Sequence, residues 1–242
     1  MVNVSRIKRV SDVVARKYKM RVCHISDTHG GFPTLRGKFD AVVHSGDFFP
    51  NSTAFMNKNL TQEMAFQLDW LSQNIRNIKV WLQGRPLLFI LGNHDFLHPQ
   101  LMAQTLASEG IKAINLTEQV VLHKDVTFYG FPYVPAINGM FNYEREVPEM
   151  ELEVEKMVKA LNESFVDVLV THAPLYQMLD LTHGNDTIGS SVITNALDYK
   201  VNDKRLPTYL LHGHCHEANG LAIRGNMLVS NAATTYHTIE IK

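Results

Sequence analysis

The sequence predicts a mixed α/β protein, a four-layer αββα sandwich of two mixed sheets packed face to face with helices outside. Three observations lead there. Short apolar runs alternate with amphipathic stretches along most of the chain, the runs end in polar loop residues, and the C-terminal part switches to hairpin patterning.

The runs RVCHIS (21–26), DAVVHSG (40–46), LLFILGN (87–93), DVLVTH (167–172) and TYLLHGH (208–214) each read as a buried strand handing over to a polar loop. Between them, Met64, Leu68, Leu71, Ile75 and Ile78 recur at three- and four-residue spacing, and Leu152, Val154, Met157, Val158 and Leu161 make a similar stripe. Both predict helices with a core-facing side. Strands alternating with helices indicate parallel pairing. The tail GLAIRGNMLVSNAATTYHTIEI instead predicts a hairpin turning at Gly225-Asn226 and a further strand from Thr235 to Ile241, which makes the sheets mixed.

Length and charge bound the rest. With 242 residues, 45% of them hydrophobic, the chain can bury one substantial core, and residues 21–242 are expected to form a single domain. A formal charge of -1 gives no global field for nucleic acid or an anionic membrane. The first 21 residues nevertheless carry seven Lys/Arg against Asp12 alone, and residues 1–20 read as a basic arm or short helix with Ile7, Val10 and Val14 on its apolar side; the alternative, an organellar transit peptide, fits the arginines but not the scarcity of serine. No apolar run follows them as a secretory signal would require, and none approaches the roughly 18 residues that span a bilayer. The expectation is a cytoplasmic protein with no membrane partner. Cys23 and Cys215 are too few for a disulfide framework and read as core residues.

The chemistry stands at the strand ends. Asp27 and His29 follow the first run, Asp47 the second, Asn93, His94 and Asp95 the third, His172 the fourth, and His214 and His216 the fifth. In open α/β sheets ligands bind at the carboxyl ends of strands, so these corners should meet in one cleft. Oxygen and imidazole donors without thiolate suit Mn, Fe or Zn. Even seven of these nine residues exceed what one zinc ion with an open position can use. Two divalent ions sharing a carboxylate, roughly 3.5–4 Å apart, would use them and could clamp a phosphate for in-line attack by a bridging water. Histidine ligands must be neutral, so loading should fall as pH drops through about 6.

The ordered blocks D-x-H, G-D, G-N-H-D, T-H-x-P and G-H-x-H resemble the calcineurin-like metallophosphoesterase superfamily over roughly residues 21–242. HISDTHG, VVHSGDF, FYGFPYVP, VDVLVTHAPL and the terminal NAATTY are most similar to its small phosphodiesterase branch, whereas GDFFP and LGNHD depart from the protein Ser/Thr phosphatase pattern. The resemblance implies that Asp27, His29 and His216 hold one metal, that Asp47 bridges, and that Asn93, His172 and His214 hold the other. Manganese is favoured, with Fe, Zn or Ni as alternatives. It implies that His94 binds phosphate and protonates the leaving alkoxide, with Asp95 fixing its tautomer.

The implied activity is hydrolysis of a small phosphodiester, such as a cyclic or linked nucleotide, by a metal-bridging hydroxide. The alternative on the same two-metal centre is a phosphomonoesterase or a nucleic-acid end-processing exonuclease. Small members of the branch are often dimers, so a homodimer is implied as well. His214 is present where some weakly active animal members have glycine, which implies competence.

The other histidines divide. His24, His44 and His212 lie inside apolar runs and read as hydrogen-bonded support beneath the site. His123 and His237 are expected to have no role. His98 and His183 fall in loops expected to open near the cleft, and Tyr133, between Pro132 and Pro135, suggests a stiff wall there.

Overall fold

The computed structural model describes residues 19–53 and 59–242. The basic arm lies outside the described residues apart from Lys19 and Met20. Met20 already opens the first strand.

One sheet contains β1 (Met20–Ile25), β2 (Ala41–Ser45), β3 (Leu87–Ile90) and β4 (Ala113–Asn115), all parallel, with β13 (Tyr236–Ile241) antiparallel to β1. Its order is β13-β1-β2-β3-β4. In the second sheet β6 (Val126–Phe131), β9 (Val168–Thr171), β10 (Tyr209–His212) and β12 (Met227–Asn231) are parallel. It is edged by β5 (Val120–His123) and β11 (Gly220–Arg224), each antiparallel to its neighbour. The order is β11-β12-β10-β9-β6-β5, and a short parallel pair, β7 (Val134–Pro135) and β8 (Glu144–Arg145), stands apart. The helices are α1 (Leu60–Leu82), α2 (Pro99–Ser108), α3 (Val147–Glu163) and α4 (Ser191–Tyr199).

Period-two alternation sorts each strand between two cores. In β1, Met20 and Val22 face the other sheet, where they join Val43, Leu88, Phe128, Val168, Val170 and Leu211. Cys23 and Ile25 face the opposite way, with Phe89, Leu71, Ile78 and Met102 under α1 and α2. The second sheet's outer face packs Phe131, Leu169 and Leu210 against Met150, Val154, Met157 and Leu161 of α3 and Ile193 and Leu197 of α4. Three apolar layers between four structural layers make the expected αββα sandwich. Each fully buried Leu, Val, Ile or Phe contributes roughly 1.5–3 kcal/mol, so the cores hold the strand ends firmly in place.

The helical stripes depart from expectation at particular positions. Leu71 and Ile78 of α1 are buried, but Met64 and Leu68 are exposed and Glu63 and Gln67 point inward instead. The first turns of α1 lie over loop backbone rather than over a strand, and loop N–H and C=O groups need polar partners. In α3, Leu152 is exposed, because it falls two residues after Met150 and turns away from the buried row at 150, 154, 157 and 161. The tail behaves as patterned: Arg224 pairs with Met227 across a two-residue turn in which Gly225 has φ 59°. Both cysteines are buried and unpaired, and burial pushes the Cys23 thiol up to about 12. Among the described residues no helix is long and apolar enough to cross a membrane.

Candidate metal centre

Strands β1, β2, β3, β9 and β10 all end on one side of the sandwich, and the loops that follow them meet. The turns there are unusually tight. Asp27, His29, Asp47 and His214 have φ of 55°, 43°, 56° and 68°, in the left-handed region that non-glycine residues seldom adopt. Such backbone persists where the surroundings over-determine it, and it gathers at functional sites.

Two groups of ligand atoms form. One atom each from Asp27, His29 and His216 lies within 4.8 Å of the others, as does one each from Asp27, Asp47 and His172. His216 Nε2 is 3.2 Å from Asp27 Oδ1. Asp47 reaches both ways, with Oδ1 3.4 Å from His172 Nε2 and Oδ2 3.9 Å from His29 Nε2. Asn93 Oδ1 stands 2.9 Å from His172 Nε2. The His214 ring packs edge-on against His172 at 5.0 Å, while its backbone N–H donates to Asp27 Oδ2 at 3.0 Å. All seven sequence-predicted donors are thus brought together. Asp27 belongs to both groups, alongside the Asp47 expected to bridge.

The backbone crowds in to achieve this. A Cβ on Gly92 would lie 2.3 Å from Asp47 Oδ1 and 2.7 Å from His172 Nε2. Only glycine lets the β3 loop pass that close.

Electrostatics fit a cation. Burial would raise Asp47, yet His172, His94 and His29 outweigh it and hold the carboxyl well below the usual range. Burial alone would lower His172, but the charge and hydrogen bond of Asp47, with Asp27 and the Ser45 carbonyl, carry it to about 9. Two buried carboxylates thus borrow positive charge from imidazoles, which is what divalent cations would replace. Carboxylate oxygen and imidazole nitrogen, with no thiolate, suit a first-row divalent ion, so the residues present fit a metal.

His94 stands beside both groups. Its backbone N–H donates to Asp47 Oδ1 at 2.8 Å, and its ring lies between those of His29 and Phe141, at centroid distances of 5.1 and 4.5 Å. The expected pairing with Asp95 is not what the geometry gives. Asp95 accepts from the backbone N–H groups of Phe48, Phe49 and Gly92 at 3.1, 2.8 and 2.8 Å, so its carboxylate ties the β2 and β3 loops together. The partner of His94 Nδ1 is Asn51 Oδ1. Asn51 and Phe141 escaped the sequence reading because both lie in loops without periodicity.

The supporting histidines are in place. His24 meets Ser230 Oγ and Ser45 Oγ at 2.8 and 2.9 Å, His44 Nε2 meets Thr28 Oγ1 at 3.0 Å, and His212 Nδ1 donates to the Gly213 carbonyl at 3.2 Å. His237 joins them through Ser230 Oγ at 2.9 Å, a part the sequence did not assign it. His123 is a strand residue, buried at the end of β5. His98 caps α2 by accepting from Gln100 N–H, and His183 reaches Glu217 at 3.4 Å. Tyr133 is a core residue among Phe131, Tyr143 and α3, not a cleft wall. A cavity of about 440 Å³ opens beside Asp27, walled by Ile25, Thr28, Phe32, Pro33 and Thr234.

A four-layer sandwich with carboxylates and imidazoles gathered at its strand ends has the architecture of a metallophosphoesterase-type protein, with two groups of residues that could hold a metal. The calcineurin-like phosphoesterase model matches residues 20–218, and the chain belongs to that family. Among curated proteins it is 27% identical over 228 residues to the UPF0046 protein K07C11.7 of Caenorhabditis elegans, covering 88% of this chain and 69% of that one. It is 28% identical over 131 residues to the UPF0046 protein T07D4.2 of the same organism, covering 54% of this chain and 31% of that one. The chain therefore spans less than a third of the latter relative's length. One crystal structure superposes with a TM-score of 0.68 at 16% identity, covering 92% of this chain and 99% of the other. The crystal structure of TT1561 from Thermus thermophilus gives 0.54 at 12% identity, covering 92% and 99%. These likenesses are of fold.

Proposed function

We propose that the chain is a divalent-metal-dependent phosphodiesterase acting on a small ester, with Asp27, His29 and His216 holding one cation, Asn93, His172 and His214 the other, and Asp47 shared between them. Manganese is the favoured ion. The observation that carries this reading is the meeting of two ligand groups at Asp27, with His94 set against both and anchored to Asp47.

When bound, the cations would neutralise charge on the phosphoryl group and activate water. The chain's own residues do the rest. His172 is fixed by its Nδ1 bond to the Ser45 carbonyl, so Nε2 faces the centre. His94 is within reach of an ester held there and serves as proton donor to the departing oxygen, a task that needs a positioned imidazole. The cavity beside Asp27 gives the second substituent of a diester a partly apolar place to lie, which a monoester would leave unused.

The test is turnover of bis(4-nitrophenyl) phosphate beside 4-nitrophenyl phosphate, on protein stripped and reloaded with Mn²⁺. Diester turnover well above monoester turnover is expected. Dominant monoester turnover would move the assignment to a phosphatase, and turnover of neither with Mn²⁺, Fe²⁺, Zn²⁺ or Ni²⁺ would remove it.

A further inference from the structure

We propose that Asn51 is the positioning residue for His94, holding its neutral ring as the Nδ1–H tautomer so that any proton exchanged with a bound ester passes through Nε2. The part about the ester rests on the phosphoesterase reading. The tautomer does not.

The assignment follows from what surrounds the Asn51 amide. Nδ2 lies 3.0 Å from Glu63 Oε1 and 3.0 Å from the His94 carbonyl oxygen. A carbonyl only accepts. Glu63 is also committed as an acceptor, since Oε1 takes the Ser52 N–H at 2.8 Å and Oε2 takes the Ser52 hydroxyl at 2.5 Å. Turning the amide over would set Oδ1 against two acceptors and leave its NH₂ facing the ring. The orientation is therefore dictated by the network, which is the sound way to place an amide. With Oδ1 facing His94 Nδ1, that nitrogen must donate.

Glu63 is 1% exposed and Gln67 is fully buried, and both come from the inward face of α1. Gln67 grips the same loop, donating from Nε2 to the His94 carbonyl at 2.8 Å and accepting from Phe96 N–H at 2.6 Å. Two polar residues one helical turn apart thus hold both the backbone and the ring partner of His94. This accounts for the polar stretch where α1 was expected to be apolar. A free neutral imidazole prefers the Nε2–H tautomer, so the opposite tautomer at His94 is a property the protein imposes.

The direct experiment needs no variant. In the full chain labelled with ¹⁵N-histidine, both metal-stripped and reloaded with diamagnetic Zn²⁺, two-bond ¹H–¹⁵N correlations at pH 8.5 distinguish the tautomers, with a His94→Gln sample assigning the signal. An Nδ1–H pattern for His94 in both forms is expected, and an Nε2–H pattern in either overturns the inference.

A second measurement reads the consequence. Asn51→Leu should lower turnover of a diester with an alkyl leaving group by about 10- to 100-fold, a fraction of the full effect of a general acid. Its effect on a 4-nitrophenyl diester, whose leaving group needs no proton, should stay within about threefold. Equal losses on both substrates would mean that Asn51 is only structural. Wild-type protein with the Nδ1–H tautomer but no esterase activity would sink the function and leave the positioning intact; an active enzyme with the Nε2–H tautomer would do the reverse.

Discussion

His172 donates through Nδ1 to the main-chain carbonyl of Ser45 at 2.9 Å, and that bond decides which edge of the ring meets the site. A carbonyl cannot donate, so Nδ1 keeps its proton and Nε2 is delivered 2.9 Å from Asn93 Oδ1 and 3.4 Å from Asp47 Oδ1. The second proton on His172 is then the one a cation must displace.

Burial disfavours that proton, but Asp47 and Asp27 retain it, and without a cation the ring titrates at about 9. Metal binding at pH 7 is therefore expected to release a proton from His172. Titration calorimetry with Mn²⁺ or Zn²⁺ in buffers of different ionisation enthalpy measures the release, and His172→Ala should lower the number of ions bound. Buffer-independent heats would contradict it. The sign for stability follows as well. A raised histidine stabilises the metal-free fold fully below about pH 6.5 and loses that contribution as pH rises through about 9.

Acid acts through a different set. His24 is held well below its ordinary value, His44 at about 3 and His212 at about 4, each mainly by burial. A histidine whose folded value is depressed leaves stability intact above about 6.5, and takes it away as pH falls toward the folded value, because the unfolded chain binds the proton first. Asp95, pushed up to about 7 by burial and the Asp47 charge, opposes this with one proton. His172, whose folded value is raised, opposes it as well near pH 6.5, where the unfolded imidazole is only half protonated, and adds almost no slope toward pH 5. The net expectation is a urea midpoint that drops between pH 6.5 and 5. A flat midpoint over that interval would contradict neutral burial of the three.

What the sequence revealed, and what it hid, divides along a physical line. The strand ends were legible because a buried strand is a short apolar run and its stop is a polar residue, so Asp27, Asp47, Asn93, His172 and His214 could be expected to meet in one cleft. The Gly225-Asn226 hairpin was legible because a two-residue turn has few permissible residues. The inward Glu63 and Gln67 were not, since their burial depends on loop backbone that comes to lie beneath α1 only in three dimensions. Asn51 was hidden for the same reason, and the role given to Asp95 by resemblance went to a residue whose neighbours no spacing rule connects. His237 was passed over because its partner, Ser230, is on the neighbouring sheet.

The close approach at Gly213 makes a sharp prediction. A Cβ there would lie 1.9 Å from Ser26 Oγ and 2.2 Å from Asp27 Oδ2, the oxygen that also receives the His214 N–H. Gly213→Ala must push β1 and β10 apart at their ends. Forcing one methyl into a filled site costs about 1–3 kcal/mol, and here the displaced atoms are a candidate ligand and its hydrogen-bond partner. Lower thermal stability together with reduced metal content per chain is expected. A variant that melts normally and binds its full complement would show that the strand ends yield more readily than the packing implies.

The inward polar face of α1 can be tested against the outward apolar one. Gln67 donates to the His94 carbonyl and accepts from Phe96 N–H, and Gln67→Leu exchanges both bonds for a methyl-rich side chain of similar size. Removing the partner of buried backbone groups costs about 1–3 kcal/mol. For a domain of this length each kcal/mol lowers Tm by about 2–4 °C. Met64, one turn away, is 43% exposed, and Met64→Gln should change stability by no more than about 0.5 kcal/mol. Read from hydropathy alone, the ranking would be the opposite, since the first change adds an apolar residue to the helix and the second removes one. Differential scanning calorimetry of the two variants decides the matter. A larger loss for Met64→Gln would mean that α1 is rotated about its axis from the orientation that places Glu63 and Gln67 over the His94 loop.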